Sequence, residues 1–419
     1  MSARLLRDAS PASAPAFAIP RLPVFGWAAW KGHFNATTSC MLDLPGMYFT
    51  TSGRASILLA LEALEVRARD RVLVPTYHCL TMVSPAVARG AEPLFYPLTE
   101  CGAPDLAWLD KLNTSRVRAI IVPHFFGLPQ PMAPVRRWCD ARGIALIEDC
   151  AHAMFGRSDD RAIGQWGDLA IGSLTKFLPV PEGGCLVINN NAQAAVLDAC
   201  ESSHSWKAVL DVVEEGARHG RLPGLNGLLT GTLSTLRSLR RRDKHLLPPV
   251  LRGIESKDVT AAEEGLTIDL TAAHRHLALA CRWLARHLPR ERIVRQRRAR
   301  YQQLVARLSG YAGMHPLHAQ LPEHCAPYVF PLWVDNPDPG YAALRAQGMP
   351  VFRWDRLWKG VPSIAGDHGI RWSHHVLQLA CHQDLNDNDF ERYVATIVRH
   401  FSTASKATEP GAEPAGAGP

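Results

Sequence analysis

The stretch Gly164–Gly184, GQWGDLAIGSLTKFLPVPEGG, constrains this chain more than any other. It holds one lysine, Lys176, between strand-like residues (Leu169 to Ile171) and a turn rich in proline and glycine (Pro179, Pro181, Gly183, Gly184). A lysine carried on a turn between two buried strands is poorly placed as a solubilising charge. Desolvation there lowers the pKa of the amine and frees its lone pair to attack a carbonyl. Taken alone, the segment reads first as a surface-loop lysine; what stands upstream changes that.

In ALIEDCAHA, the apolar run Ile144 to Ile147 reads as a buried parallel strand, with Glu148 and Asp149 at its end. Ligands of open α/β sheets bind at the carboxyl ends of the strands. A carboxylate in that position can hold the protonated ring nitrogen of pyridoxal phosphate (PLP) and keep the ring an electron sink. A lone acidic residue after a strand reads as a cap or turn, so the weight lies on Asp149 and Lys176 together.

The segments EDCAHAMFG (Glu148 to Gly156) and GDLAIGSLTKFLPVPEGG (Gly167 to Gly184) resemble the DegT/StrS-type sugar aminotransferases, PLP enzymes of fold type I. TSGRASILLALEAL (Thr51 to Leu64), VLVPTYHC (Val72 to Cys79) and VPHFFG (Val122 to Gly127) follow in that family's order, and CHQDLNDNDFERYV (Cys381 to Val394) is similar to its closing segment. The likeness covers Tyr48 to Ile188, and more loosely Pro327 to Phe401. It implies an α/β fold: a large domain with a mostly parallel sheet and a smaller C-terminal α/β lobe.

The residues themselves agree with that class. A chain of 419 residues outgrows a single core. Its hydrophobic fraction of 47% and charged fraction of 20% are those of a soluble globule. Part of the excess behind the net charge of +7 sits in Arg237 to Lys244 and Arg290 to Arg300. Both runs read as solvated faces, or as attraction for a phosphorylated or nucleotide-linked substrate; no nucleic-acid recognition module accompanies them. The ten cysteines are scattered without a CxxC pair. That argues against a zinc site or disulfide framework and for a reduced, cytoplasmic protein. No apolar stretch is long enough for a membrane span.

Residues 1–47 are expected to be a disordered segment followed by an arm that packs on a partner subunit. The large PLP-binding domain is expected at 48–265, with 205–265 a divergent insertion, the helical connection and small domain at 266–401, and a disordered tail at 402–419. Along the large domain we expect a helix at Ala55–Val66 and strands at Arg71–Pro75 and Val117–Val122. A helix at Ala133–Arg142 follows, then strands from Ile144, at Leu169–Gly172 and at Cys185–Ile188. Helices at Thr271–Leu288 and Glu291–Leu308, a strand at Tyr328–Val334 and helices at Tyr341–Gln347 and Asn388–Phe401 complete the reading.

Carried onto this sequence, the resemblance makes Lys176 the catalytic residue and covalent anchor of the cofactor, and Asp149 the partner of its ring nitrogen. His152, three residues after Asp149, falls near the phenolic oxygen. Gly53 and Arg54 open the Ala55 helix, where backbone amides bind phosphate; the same residues also read as a plain N-cap. Ser173 would donate to that phosphate, although the family's serine usually stands five residues before the lysine rather than three, with Thr175 the alternative. Tyr77, ahead of His78, would stack on the cofactor ring.

The expected function is transfer of an amino group from an amino-acid donor, with glutamate the first candidate, to a keto-sugar, free or nucleotide-linked, in glycan or natural-product biosynthesis. A homodimer is implied. Two departures matter. The family's histidine-glycine and asparagine-tyrosine-arginine stretches, which serve the neighbouring subunit, are not found between Trp206 and Leu270, and Asn226 is only a faint candidate. A different fold type I reaction (a lyase or amino-acid transferase) or a non-catalytic PLP-binding regulator therefore stays open. HExxH, GxSxG, P-loop and GxGxxG signatures are absent. His374, His375 and His382 read as ordinary polar residues, so no metal is expected.

Overall fold

The computed structural model describes residues 18–31, 38–190, 192, 196–224 and 268–402. The expected N-terminal disorder, the basic run Arg237 to Lys244, Asn226 and the C-terminal tail from residue 403 lie outside these residues.

Two sheets carry the fold. The first has seven strands: β1 (Met47–Thr50), β2 (Arg71–Pro75), β3 (Glu92–Tyr96), β4 (Val117–Pro123), β5 (Ala145–Asp149), β8 (Leu169–Ser173) and β9 (Gly184–Ile188). Their order is β1-β9-β8-β5-β4-β2-β3. The five strands from β8 to β3 run parallel, whereas β9 is antiparallel to both neighbours. Strands β4 and β5 are buried nearly throughout because helices cover both faces of a parallel sheet, which is why they read as continuous apolar runs. A short hairpin, β6 (Arg157–Ser158) with β7 (Arg161–Ala162), sits between β5 and β8.

This topology decides where chemistry can sit. All five parallel strands end on one edge of the sheet, so Pro75, Tyr96, Pro123, Asp149 and Ser173 share it. Register places Asp149 beside Ile171, two residues before Ser173. Helix α1 (Gly53–Ala63) starts at the same edge, capped by Ser52, whose Oγ accepts the N–H of Ala55 at 3.1 Å. Further helices here are α2 (Leu80–Ala88), α3 (Leu106–Leu109) and α4 (Ala133–Asp140).

The sequence expected one helix at Thr271–Leu288. The chain instead forms α6 (Leu270–Ala273) and α7 (Leu279–His287), after the unforeseen α5 (Ser202–Arg218). The break has a local cause. Asp198 donates its N–H to the His274 carbonyl and accepts from His276 N–H, which pulls residues 274–276 into extended pairing. Helix α8 (Arg290–Leu308) leads to an antiparallel sheet of β10 (Met314–Pro316), β11 (Val329–Val334), β13 (Val376–Ala380) and β12 (Val351–Phe352), in that order. Helices α9 (Asp338–Ala346), α10 (His368–His375) and α11 (Asp387–Phe401) accompany it.

The N-terminal arm does not leave the chain where it is described. Ile19 is buried in the core of the second sheet, and the Pro20 carbonyl accepts from His382 Nε2 at 2.9 Å. The Ala18 carbonyl lies 2.6 Å from His219 Nδ1.

Candidate active site

Lys176 ends a short 3-10 turn, Leu174–Lys176, immediately after β8. The turn is fixed from two sides. Leu174 donates its N–H to the Gly183 carbonyl at 2.9 Å, and Gly183 donates to the Thr51 carbonyl at 2.8 Å, tying the turn to the start of α1. Burial lowers the pKa of the Lys176 amine, with Cys79 and the Asp149 carboxylate opposing that shift. Asp149 is driven the other way: burial raises its pKa, and the Lys176 charge counters this. One carboxylate oxygen, Oδ1, accepts the N–H of Ala151 at 2.8 Å. Among the described residues, no donor engages the other.

His152 is buried and held neutral: burial, then the Lys176 charge, presses its pKa well below the ordinary value. Its Nδ1 accepts the N–H of Phe126 at 3.3 Å, so the neutral ring carries its proton on Nε2. The Phe126 carbonyl in turn accepts the N–H of Tyr328 at 2.8 Å. This ties His152 to Tyr328, whose rings lie 4.5 Å apart. The Lys176 Nζ sits 5.3 Å from the centre of the Tyr328 ring. The joint is strained. Phe126 is left-handed at φ 60°, and a Cβ on Gly127 would meet Tyr328 N at 2.4 Å and the His152 carbonyl at 2.7 Å. Strain of this kind persists where surrounding structure enforces it, and it gathers at functional sites.

At the other end, Gly53 approaches Ser173 closely. A Cβ built on Gly53 would lie 3.4 Å from Ser173 Cβ and 3.5 Å from the Gly172 carbonyl. Ser173 Oγ and Thr175 Oγ1 are 3.3 Å apart. Two hydroxyls and a helix N-terminus therefore converge, which is what an anion needs. Arg54 lies in the first turn of α1, and burial lowers the pKa of its guanidinium.

Tyr77 is placed differently from expectation. It is 0% exposed, wedged among Phe125 (5.3 Å), Trp354 (4.9 Å) and Trp372 (5.6 Å), and its hydroxyl accepts from Gln378 at 3.0 Å. No face of the ring is open for stacking, because the aromatic residues of VPHFFG and of the second sheet close over it. His78 is no substitute. Its Nδ1 lies 2.9 Å from the Pro75 carbonyl, its Nε2 accepts from Trp358 N, and burial pushes its pKa down to about 4. Cys79, not singled out from the sequence, stands at that strand end with its Sγ 2.9 Å from Thr81 Oγ1.

Glu148 and His124 hold the scaffold. Glu148 accepts from Gly164 N–H (2.8 Å), Trp166 N–H (2.8 Å), Gly167 N–H (3.2 Å) and His124 Nε2 (2.9 Å). Those bonds hold its carboxyl below the usual carboxylate range despite burial, which acts most strongly in the opposite sense. His124, Glu148 and Cys150 are spaced closely enough to suggest a metal. His124 Nδ1, however, already accepts from Gln130 N–H, so both ring nitrogens and both carboxylate oxygens are engaged. The cluster pins the loop that feeds β8.

Sequence reasoning missed Arg297, Tyr328 and Trp354. Arg297 is 0% exposed on α8 and donates to the Lys176 carbonyl at 2.6 Å, to the Pro327 and Tyr328 carbonyls at 3.0 and 3.1 Å, and to Gln383 Oε1 at 2.8 Å. Trp354, from the segment after β12, lies 5.2 Å from the His152 ring. No local pattern marks these residues, since each reaches the site through a contact more than 100 positions away in sequence.

The donor set fits PLP. An uncommitted carboxylate oxygen suits a ring N–H, a desolvated amine suits covalent attachment, a neutral imidazole N–H suits an oxyanion, and the Gly53–Ser173 end suits a phosphate. The fold is that of solved aminotransferase structures, with a mostly parallel central sheet and helices on its faces. Residues 47–230 match the profile of the DegT/DnrJ/EryC1/StrS aminotransferase family.

Among its relatives is the UDP-N-acetyl-3-dehydro-alpha-D-glucosamine 3-aminotransferase of Acidithiobacillus ferrooxidans. It is 31% identical over 145 residues, which is 34% of this chain and 39% of that protein. The L-glutamine:2-deoxy-scyllo-inosose aminotransferase of Streptomyces kanamyceticus is 28% identical over 223 residues, 49% of this chain and 52% of that one. The chain thus spans about half or less of the length of these relatives. The solved structure of the aminotransferase TlmJ from Streptoalloteichus hindustanus superposes with a TM-score of 0.55 at 20% identity, covering 84% of both chains. That likeness speaks for the fold.

Proposed function

We propose that this chain is a PLP-dependent aminotransferase that moves an amino group from an amino-acid donor, glutamate or glutamine, to a keto-sugar or related cyclic ketone, free or nucleotide-linked. The reading is supported by relatives named for sugar and inosose substrates. The observation that carries it is the buried pair of Asp149 and Lys176 at one sheet edge, with opposed pKa shifts. The reaction belongs to glycan or natural-product biosynthesis and to the cytoplasm.

Bound PLP would supply an electron sink for the carbon that loses a proton. The chain's part follows from its groups. Lys176 Nζ would hold the cofactor, and as a free amine it takes a proton from the substrate carbon and returns it. The open oxygen of Asp149 keeps a proton on the ring nitrogen. His152 Nε2–H donates to an oxyanion, and Gly53, Arg54, Ser173 and Thr175 hold the phosphate. Tyr328 shields Lys176 from water, and Trp354 packs on His152.

We also propose a homodimer and the division of the chain into a large domain at 48–265 and a small one at 266–401. Trp206 and Trp283, on α5 and α7, are 71% and 50% exposed, an apolar area that a second copy would cover. The test is a visible absorbance spectrum of the purified chain with PLP, before and after glutamate, beside Lys176→Ala. A band that glutamate bleaches and the variant lacks is expected, with recovery on adding a keto-sugar acceptor. A chain that never develops the band on adding PLP overturns the reading.

A further inference from the structure

The Gly53–Ser173 end of the site is held from outside the sheet by α6. Thr51, two residues before Gly53, accepts the Gly183 N–H on its carbonyl at 2.8 Å and donates its hydroxyl to the Ala272 carbonyl at 2.8 Å. Ala272 belongs to α6, which rests on the first two turns of α1 through a small contact: buried Ala273 with Ala55 and Leu58, and Ile268 at the edge. A helix of four residues has no stability of its own, so polar tethers decide where α6 sits. His274, directly after it, is such a tether. Its Nδ1 lies 2.8 Å from the Leu270 carbonyl and its Nε2 lies 2.8 Å from Glu62 Oε2 on α1. Both partners only accept: the carbonyl has no proton to give, and the Glu62 carboxylate is shared with Arg89 at 3.5 Å. Both ring nitrogens must therefore donate, which only the imidazolium can do.

We propose that His274 is a positioning residue for the phosphate of the cofactor: as an imidazolium it clamps α6 onto α1 and, through Ala272 and Thr51, sets the backbone that receives the phosphate. This rests on the PLP reading above. Among the described residues, the charged groups around the ring agree with the role. Glu62 faces it from α1, with Arg89 beyond Glu62 at the end of α2. Asp198, whose backbone pairs with residues 274 and 276, faces it from the segment before α5, and Arg275 is engaged with His204 at 3.4 Å. The bond to the Leu270 carbonyl raises the His274 pKa most, and Glu62 and Asp198 raise it further against the lowering by burial. A histidine whose folded pKa is raised keeps its bonds below that value and loses one as pH rises through it. The seat of the phosphate is therefore firmest in mildly acidic solution and loosens in alkali.

The test compares PLP with pyridoxal, which lacks the phosphate, on the full chain and on its His274→Gln and His274→Lys variants. Dissociation constants for both are read from the absorbance band, and their ratio is the preference for phosphate. Titration of Lys176, of Asp149 and of the phosphate itself is common to all three chains. At about pH 6 the preference of the parent should exceed that of His274→Gln about threefold, the value of a half-exposed ion pair. At about pH 8.5, above the titration of the ring, the two should agree. His274→Lys keeps its charge and should show no such fall between the two pH values. Without any cofactor, the thermal midpoint of the parent should exceed that of His274→Gln in acid and meet it in alkali. A parent that forms no band with PLP at either pH marks failure of the PLP reading rather than of this one. Equal preferences in the parent and His274→Gln in acid overturn the proposal. So does a deficit in His274→Gln that is the same at both pH values, or a fall in His274→Lys that matches the parent's.

Discussion

The guanidinium of Arg297 donates to the backbone carbonyl of Lys176 at 2.6 Å, across 121 positions of sequence. The same side chain stacks over Phe177 at 4.5 Å, and Gln383, bound to its Nε, donates to the Phe177 carbonyl at 2.8 Å. The lysine turn is thus gripped by a helix and a loop of the second sheet, and the position of Nζ depends on how the two sheets meet. Burial lowers the pKa of Arg297 to about 10, still far above neutrality, so the grip stays charged.

Arg297→Met should therefore destabilise the chain by about 3 kcal/mol, because several buried carbonyls lose a charged donor at once. The PLP band should also form more slowly. Arg297→Lys should recover less than half of the loss, since an ammonium cannot span the same acceptors. Thermal unfolding and stopped-flow absorbance measure the two effects.

Asp149→Asn tests the coupling at the sheet edge. The reactive form of Lys176 is the free amine, so the rate of band formation should rise with pH through the lysine's depressed pKa. The Asp149 carboxylate holds that pKa up. Removing its charge should shift the midpoint of the pH profile downward. Affinity for PLP should fall about tenfold to a hundredfold, the value of one hydrogen bond to a charged group. A midpoint that moves upward would contradict the arrangement.

Acid should weaken the fold through two buried histidines. Burial lowers His78 to about 4 and His382 to about 3. Both lie below the unfolded value, so the unfolded chain binds the extra protons first, and stability is lost as pH falls from about 6.5 toward those values. Each should contribute about 2 kcal/mol of loss by pH 5. Chemical denaturation at pH 7 and pH 5 measures it, and His78→Gln should flatten the slope. A chain equally stable at both pH values would refute this.

Gly127→Ala should cost about 3 kcal/mol, because a Cβ has no room between Tyr328 N and the His152 carbonyl and φ is +89°. The same change should disturb His152 and Tyr328, so the PLP band should shift in wavelength as well as weaken. Denaturant titration and the spectrum report the two effects separately.

The candidate site residues stand out in the sequence because their signals are local. The apolar run before Asp149 marks a buried strand, and strand ends hold ligands. The turn around Lys176 is written in its glycines and prolines, and Ser52-Gly53 announces the start of α1. Tyr77 was misread for the opposite reason: an aromatic residue after a strand looks the same whether its face is open or, as here, covered by Phe125, Trp354 and Trp372. The basic run Arg290–Arg300 was misread similarly. Its charges suggested a solvated face, yet Arg297 is fully buried and Arg292 pairs with Asp384 at 2.9 Å.

The sequence by itself marked most strands of the parallel sheet and singled out Asp149, His152 and Lys176 as candidates; the strand order came from the structure. Those marks depend on apolar periodicity and turn chemistry, which act over a few residues. Only the tertiary structure decided that Arg297 steadies the lysine, that Tyr328 flanks it while Trp354 packs on His152, and that Arg21 arrives from the N-terminus. A guanidinium is stable in the interior only where carbonyls or carboxylates converge on it, and that convergence exists only once the second sheet has closed against the first.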